Sequence, residues 1–148
     1  QFALQGGIID LTCGMTGSAI PVPQAVKQAL DAGVPLERLT LSSDGNGSMP
    51  KFNENNELIG LTAAAPRYLY EEMLSIVKAG VLPFDKALQL ITCNVADALK
   101  LEDKGRIAVG KDADLIVWND DLTLNKVFAR GRLMVDEGQA VVKGTFEN

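Results

Sequence analysis

Ten residues, Leu39-Thr-Leu-Ser-Ser-Asp-Gly-Asn-Gly-Ser48, restrict what this chain can fold into more than any other stretch. Leu39 and Leu41 alternate with polar residues and run straight into Asp44, after which two glycines and an asparagine end any regular strand. The pattern predicts a strand, then an acid, then a loop. A carboxylate at the C-terminal end of a buried parallel strand stands where α/β barrels gather their reactive groups, because the loops leaving that face enclose a pocket. Asp44 is therefore the first candidate for chemistry. Gly45 and Gly47 are expected to let the backbone turn sharply and approach a ligand, and the N–H groups of Gly45, Asn46 and Gly47 with the Ser48 hydroxyl form a candidate anion site. An ordinary strand-end turn explains the same residues, since Asp-Gly and Asn-Gly are frequent turn dipeptides.

Upstream, Gly6-Gly-Ile-Ile-Asp-Leu-Thr-Cys13 has the apolar, β-branched character of a buried parallel strand interrupted by one acid, Asp10. Ile8, Asp10 and Thr12 share one face. Pro23 suits the first turn of a helix running to about Ala32, with Val26, Ala29 and Leu30 on one side and Gly33 as its stop. Strand, helix and strand from Ile8 to Ser43 make one βαβ unit, which brings Thr12, Cys13 and Asp44 to one rim.

Downstream, Lys51 to Gly60 is rich in Asn and Glu, lacks periodicity, and reads as a surface loop or lid. Pro66 opens a second helix whose Leu69, Met73, Ile76 and Val77 form a single apolar stripe, ended by Gly80. A third helix is expected from Asp85 as its cap, and a short fourth from Asn94 to Leu99. Core packing explains these stripes without a ligand. From Lys104 the grammar changes to short apolar runs, Arg106-Ile107, Leu115 to Trp118, Lys126 to Ala129, Leu133 to Val135 and Ala140 to Val142, with hairpin signals at Arg130-Gly131 and Glu137-Gly138. This predicts an antiparallel meander too small to bury both its faces, and a boundary that divides the chain into residues 1–103 and 104–148.

Composition matters mainly for what it excludes. A chain of 148 residues with 47% apolar and 22% charged content can bury a core. Its net charge of −5 and scattered lysines argue against a nucleic-acid surface, and no apolar run is long enough to span a bilayer as a helix. A small molecule is the expected partner. Cys13 and Cys93 lie far apart without a Cys-x-x-Cys neighbour, which points to free thiols and a cytoplasmic setting. The start on Gln1-Phe2 suggests a piece of a longer protein.

Several motifs together resemble one family. Ser42-Ser-Asp-Gly-Asn-Gly-Ser48, Thr92-Cys-Asn-Val-Ala96, Lys104-Gly-Arg-Ile107 and Gly110-Lys-Asp-Ala-Asp-Leu-Ile-Val117 look like the C-terminal part of an amidohydrolase-superfamily enzyme. The Gly-x-Asp-Ala-Asp-Leu pattern places only the superfamily. The Ser-Ser-Asp-Gly-Asn-Gly-Ser loop, with Ala129-Arg-Gly-Arg-Leu-Met-Val135 and Val142-Lys-Gly-Thr-Phe-Glu147, resembles more specifically the beta-aspartyl (isoaspartyl) dipeptidases. The resemblance implies an α/β fold, the C-terminal part of a (β/α)8 metal-dependent hydrolase barrel plus half of a small antiparallel β-sandwich. Residues 8–13 and 39–43 would be the last two barrel strands, the helices at 66–99 would follow them, and the meander would be the sandwich half.

It further implies a binuclear zinc site held by histidines, a carboxylated lysine or glutamate, and the aspartate closing strand eight, here Asp44. This chain contains no histidine. Catalytic zinc sites ordinarily need three protein ligands, so the others must lie outside these residues and the isolated chain is expected to be inactive. In the parent enzyme, the resemblance makes Asp44 both a metal ligand and the group that moves the proton from the attacking water to the departing amine. Ser48 would bind a carboxylate of the dipeptide substrate, and Gly45, Asn46 and Gly47 would shape the pocket; separately, two strands of a barrel leave unpaired edges and an uncovered apolar face, so self-association into a homo-oligomer is expected. Asp10 is either a partner behind the metal ligand or a structural hydrogen-bonding group. Two other readings remain: a hydantoinase- or dihydroorotase-type enzyme acting on a cyclic amide, and a non-catalytic assembly module. The missing ligand set predicts that the isolated chain binds zinc weakly. Calorimetry showing one tightly bound zinc per chain at neutral pH would overturn that.

Overall fold

The computed structural model describes residues 1–15 and 20–144, and the chain divides into two compact units, Gln1–Lys100 and Leu101–Asn148. In the first, β1 (Ile9–Thr12) lies parallel to β2 (Leu39–Ser42), with Ile9 opposite Leu39 and Thr12 opposite Ser42. Parallel neighbours need a crossover, which α1 (Val22–Asp31) provides. Pro23 sits in its first turn, where a missing N–H costs nothing, and Val26 is fully buried. The strand predicted from Gly6 begins only at Ile9, because Ala3–Gln5 form a 3-10 turn closed by Gly6 at φ +94°.

The core of this unit is β1 and β2 packed against α1, α2 (Tyr68–Lys78) and α3 (Phe84–Gln89), with Val26, Leu39, Met73, Ile76 and Leu90 fully buried. Met73 and Ile76 are the centre of the predicted stripe, flanked by the half-buried Leu69 and Val77. Cys13 is buried in the same core. Burial first, then the nearby charges of Glu72 and Asp10, push its thiol up to about 12, so it is inert, and both cysteines are free. No helix among the described residues is long and apolar enough to cross a membrane.

Two expected helix caps have other jobs. Pro83, not Asp85, occupies the N-cap of α3; Asp85 lies in the first turn, where its charge complements the helix dipole. Thr92, not Asn94, precedes α4 (Cys93–Leu99), and the buried Asn94 amide instead donates to the backbone oxygens of Leu36 at 2.8 Å and Leu39 at 2.9 Å. The Leu41 N–H donates to the Leu90 carbonyl at 3.0 Å. On the edge of β2 away from β1 the α3–α4 segment therefore takes the Leu39 oxygen and the Leu41 N–H, which helps β2 to be buried through Leu39, Thr40 and Leu41.

Lys51 to Gly60 is not a loop. β3 (Ser48–Phe52) and β4 (Leu58–Ala63) form an antiparallel hairpin with a bulge at Lys51/Phe52. Asn53 builds the turn: its Oδ1 accepts the N–H groups of Asn55 and Glu57, and Asn56 takes φ +60°. The bulge and the polar turn hide the strand periodicity in the sequence. All of β4 is exposed, including Leu58, Ile59 and Leu61.

The second unit is a four-stranded meander in the order β5 (Leu115–Trp118), β6 (Leu124–Ala129), β7 (Arg132–Asp136), β8 (Gln139–Ala140). Arg130-Gly131 and Glu137-Gly138 have positive φ at both positions, as two-residue hairpin turns require. Arg106-Ile107 is not a strand, and the last strand stops at Ala140. The closing Val142–Glu147 motif lies partly outside the described residues. Gly110-Lys-Asp-Ala-Asp-Leu115 has a mechanical role here. Lys104 bridges Asp112 at 2.7 Å and Asp114 at 2.5 Å, and Asp114 accepts the Arg130 N–H at 2.7 Å, tying the motif to the β6–β7 turn. The Lys104 hydrogen bond, then the Arg130 N–H, holds the Asp114 carboxyl below the usual aspartate range. Its contribution to stability is present above the ordinary aspartate value and lost as pH falls through the lower folded value; solvent exposure keeps it small.

Because the Asn94 amide is the donor to the buried Leu39 oxygen, while the Leu36 oxygen also accepts the Leu39 N–H, Asn94→Ala should lower the unfolding free energy by about 1–3 kcal/mol, the cost of leaving a buried acceptor unpaired. Urea unfolding with an unchanged midpoint would contradict this.

Candidate active site

The candidate site is the C-terminal end of β1 and β2. The Cys13 N–H donates to the Ser42 carbonyl at 2.7 Å, which carries the parallel ladder to the last residue of β2. On the same face the Asp10 carboxylate accepts two hydroxyls across the strands, Thr40 Oγ1 on Oδ1 at 2.7 Å and Ser42 Oγ on Oδ2 at 2.5 Å. Asp10 is thus a hydrogen-bonding group between strands. A shallow groove beside it is bordered by Leu11, Thr12, Val22, Ala25 and Glu72. Glu72 escaped the sequence reading because it looks like one of several polar positions on an amphipathic helix.

Asp44 follows β2 by two residues and is exposed. It has φ +47°, and Asn46 has φ +66°. The left-handed positions of this loop therefore belong to Asp44 and Asn46, which tolerate them better than most side chains, and not to the glycines, contrary to expectation. Gly47 is needed for space: a Cβ there would stand 2.8 Å from the Asp44 carbonyl oxygen, whereas one at Gly45 would press on the Pro66 ring at 3.1 Å.

The loop's N–H groups are largely spent on itself. Gly47 donates to the Asp44 oxygen at 2.7 Å and Asn46 to the Ala64 oxygen at 2.9 Å, while Ala64 returns a bond to Gly47 at 2.8 Å. The anion cradle expected from Gly45, Asn46 and Gly47 thus has two of its three donors occupied. Ser48 is exposed at the start of β3, opposite Ala63. Asp44 and Ser48 sit at the two ends of one tight loop, and the backbone between them is pinned by the base of the hairpin.

No group of three or more His, Cys, Asp or Glu side chains able to hold a metal occurs among the described residues. With no histidine in the chain and Asp44 standing apart from other donors, these residues do not by themselves fit a zinc centre.

A family model described as the amidohydrolase family matches residues 21–137. The chain belongs to the amidohydrolase family. Members of this superfamily generally use metal ions. The amidohydrolase fold here superposes on a beta-aspartyl dipeptidase from Fervidobacterium islandicum AW-1, solved with a beta-Asp-Leu dipeptide, with a TM-score of 0.79 and 31% identity, covering 97% of this chain and 37% of that one. By sequence it is 34% identical over 112 residues to an imidazolonepropionase of Anaeromyxobacter sp. (strain K), covering 76% of this chain and 22% of that protein. It is 28% identical over 104 residues to adenine deaminase 1 of Carboxydothermus hydrogenoformans, covering 69% of this chain and 17% of that protein. The chain therefore spans roughly a fifth of these curated relatives and just over a third of the dipeptidase.

The contact at Gly47 generates a prediction. Gly47→Ala must displace the Asp44 carbonyl, a backbone atom, and should destabilise the first unit by about 1–3 kcal/mol, as forced overpacking does. Chemical unfolding of this variant at wild-type stability would show that the loop is slack.

Proposed function

We propose that this chain carries the strand-end aspartate and the substrate loop of a zinc-dependent amidohydrolase that hydrolyses beta-aspartyl (isoaspartyl) dipeptides. The observation that carries this reading is the likeness, over 97% of the chain, to a dipeptidase solved with beta-Asp-Leu. The placement of Asp44 supports it: an exposed carboxylate just past a parallel strand, held in a rare backbone conformation, is well placed to meet a reactant. In the parent enzyme a water oxygen bonds to the amide carbonyl carbon while Asp44 takes the water's proton. Asp44 then delivers that proton to the amine nitrogen as the C–N bond breaks. Ser48 donates its hydroxyl to a substrate carboxylate, and the loop from Gly45 to Gly47 walls the pocket. The remaining metal ligands come from outside these residues, so the chain alone is inactive. A homo-oligomer in the cytoplasm is part of the same proposal, supported as to compartment by the two free cysteines.

A second reading is favoured by the curated relatives, which are imidazolonepropionases and adenine deaminases. It keeps Asp44 in its role and changes the substrate. Assaying the parent enzyme with beta-Asp-Leu and with adenine separates the two; turnover of adenine with none of the dipeptide would overturn the dipeptidase reading. Asp44→Asn in the parent should lower kcat and kcat/KM together by at least about 100-fold at nearly constant KM, because an amide cannot take and return the proton. Circular dichroism and metal content should stay close to wild type. A folded, metal-loaded variant within about tenfold of wild-type activity would refute the assignment of Asp44.

A further inference from the structure

Aspartate is a poor strand former, yet Asp10 occupies the middle of a four-residue strand in the first unit. Among the described residues it has no ion-pair partner. Its two oxygens are instead divided between two hydroxyls of the neighbouring strand, Thr40 at 2.7 Å and Ser42 at 2.5 Å. Thr40 is buried, and its hydroxyl gains a needed acceptor. Ser42 is only half-buried and could be served by water, so stability alone does not explain the second bond.

We infer that Asp10 is a positioning residue for Asp44, acting through the hydroxyl of Ser42. Ser42 is the last residue of β2 and is tied to β1 twice, by its carbonyl to the Cys13 N–H and by its hydroxyl to Asp10. Two residues later Asp44 is fixed from the other side, where its carbonyl accepts the Gly47 N–H and the Asn46–Ala64 and Ala64–Gly47 bonds close the loop. The carboxylate of Asp44 thus hangs from a short span anchored at both ends. Charge-assisted hydrogen bonds such as those to Asp10 are short and directional, and they fix the orientation of the Ser42 end of that span. Removing Asp10 leaves the Cys13 bond and the core in place, so it loosens the rim without dismantling the unit.

This inference rests on the proposed role of Asp44, and its test separates the two. In the parent enzyme, Asp10→Ala should lower kcat by about 10–100-fold, the usual effect of losing a group that orients a catalytic or ligating side chain, with KM within about twofold. Amide hydrogen exchange at Asn46 and Gly47 should become faster. Asp10→Asn keeps one acceptor oxygen and should lose less, about tenfold, and it serves if the alanine variant does not fold. Ser42→Ala should lower kcat in the same direction and add little on top of Asp10→Ala, since both remove one interaction. A merely structural Asp10 would lower the melting temperature while leaving kcat of the folded enzyme and the loop exchange unchanged. Folded Asp10 variants with kcat within about twofold of wild type, or Asp10 and Ser42 effects that multiply independently, would overturn the inference. Asp44→Asn run in parallel assigns the failure: if it is inactive while the Asp10 variants are normal, only the positioning role falls; if it is active, the role of Asp44 falls too.

Discussion

Strand β2 has hydrogen-bond partners along both edges, and the first unit depends on that. β1 lies on one side; on the other, the Leu90 carbonyl and the Asn94 amide take the groups that a missing neighbour would leave open. A strand of Leu39, Thr40 and Leu41 can be buried only when its backbone is satisfied in this way, since each unpaired buried group costs about as much as a hydrogen bond contributes. With β2 held on both edges, the apolar faces of α1, α2 and α3 have a surface to cover, and Asp44 leaves the sheet from an anchored end.

The rim combines rigidity with exposure. Asp44 and Asn46 hold left-handed conformations that cost most side chains about 1–2 kcal/mol each, a cost offset by the bonds that close the loop. Asp10, below the rim, joins the strands with a carboxylate rather than with apolar packing. The result is a carboxylate in solvent on a backbone with little freedom, the arrangement that the proposed proton transfer calls for. The second unit lacks any buried residue among those described, and its order comes from hairpin turns and from the Lys104, Asp112 and Asp114 cluster.

Family membership and reaction separate at this point. The amidohydrolase match covers most of the chain, and the barrel-strand pair, the helices and the meander belong to that fold. Substrate choice is not set by the fold, and these 148 residues contain no histidine. The relatives accordingly include a dipeptidase, an imidazolonepropionase and an adenine deaminase. Shared fold with divergent chemistry is ordinary for barrels, whose loops vary on a constant frame.

The sequence by itself determined the elements whose signals are local. The βαβ order around Pro23, the Met73–Ile76 stripe, and the two Xaa-Gly hairpin turns follow from periodicity and from backbone conformations that few residues accept. The position of Asp44 at a strand end was legible for the same reason. Tertiary structure alone decided where side chains reach across the chain. Asn94 braces β2 from 55 residues away instead of capping its own helix. Asp10 finds hydroxyls 30 and 32 residues distant. The β3–β4 hairpin hid behind a bulge and a polar turn, and the glycine loop turned left-handed at Asp44 and Asn46 while its glycines made room. Periodicity and turn chemistry act over a few residues, whereas hydrogen-bond partners and close approaches are fixed only when distant segments pack, and no local pattern encodes them.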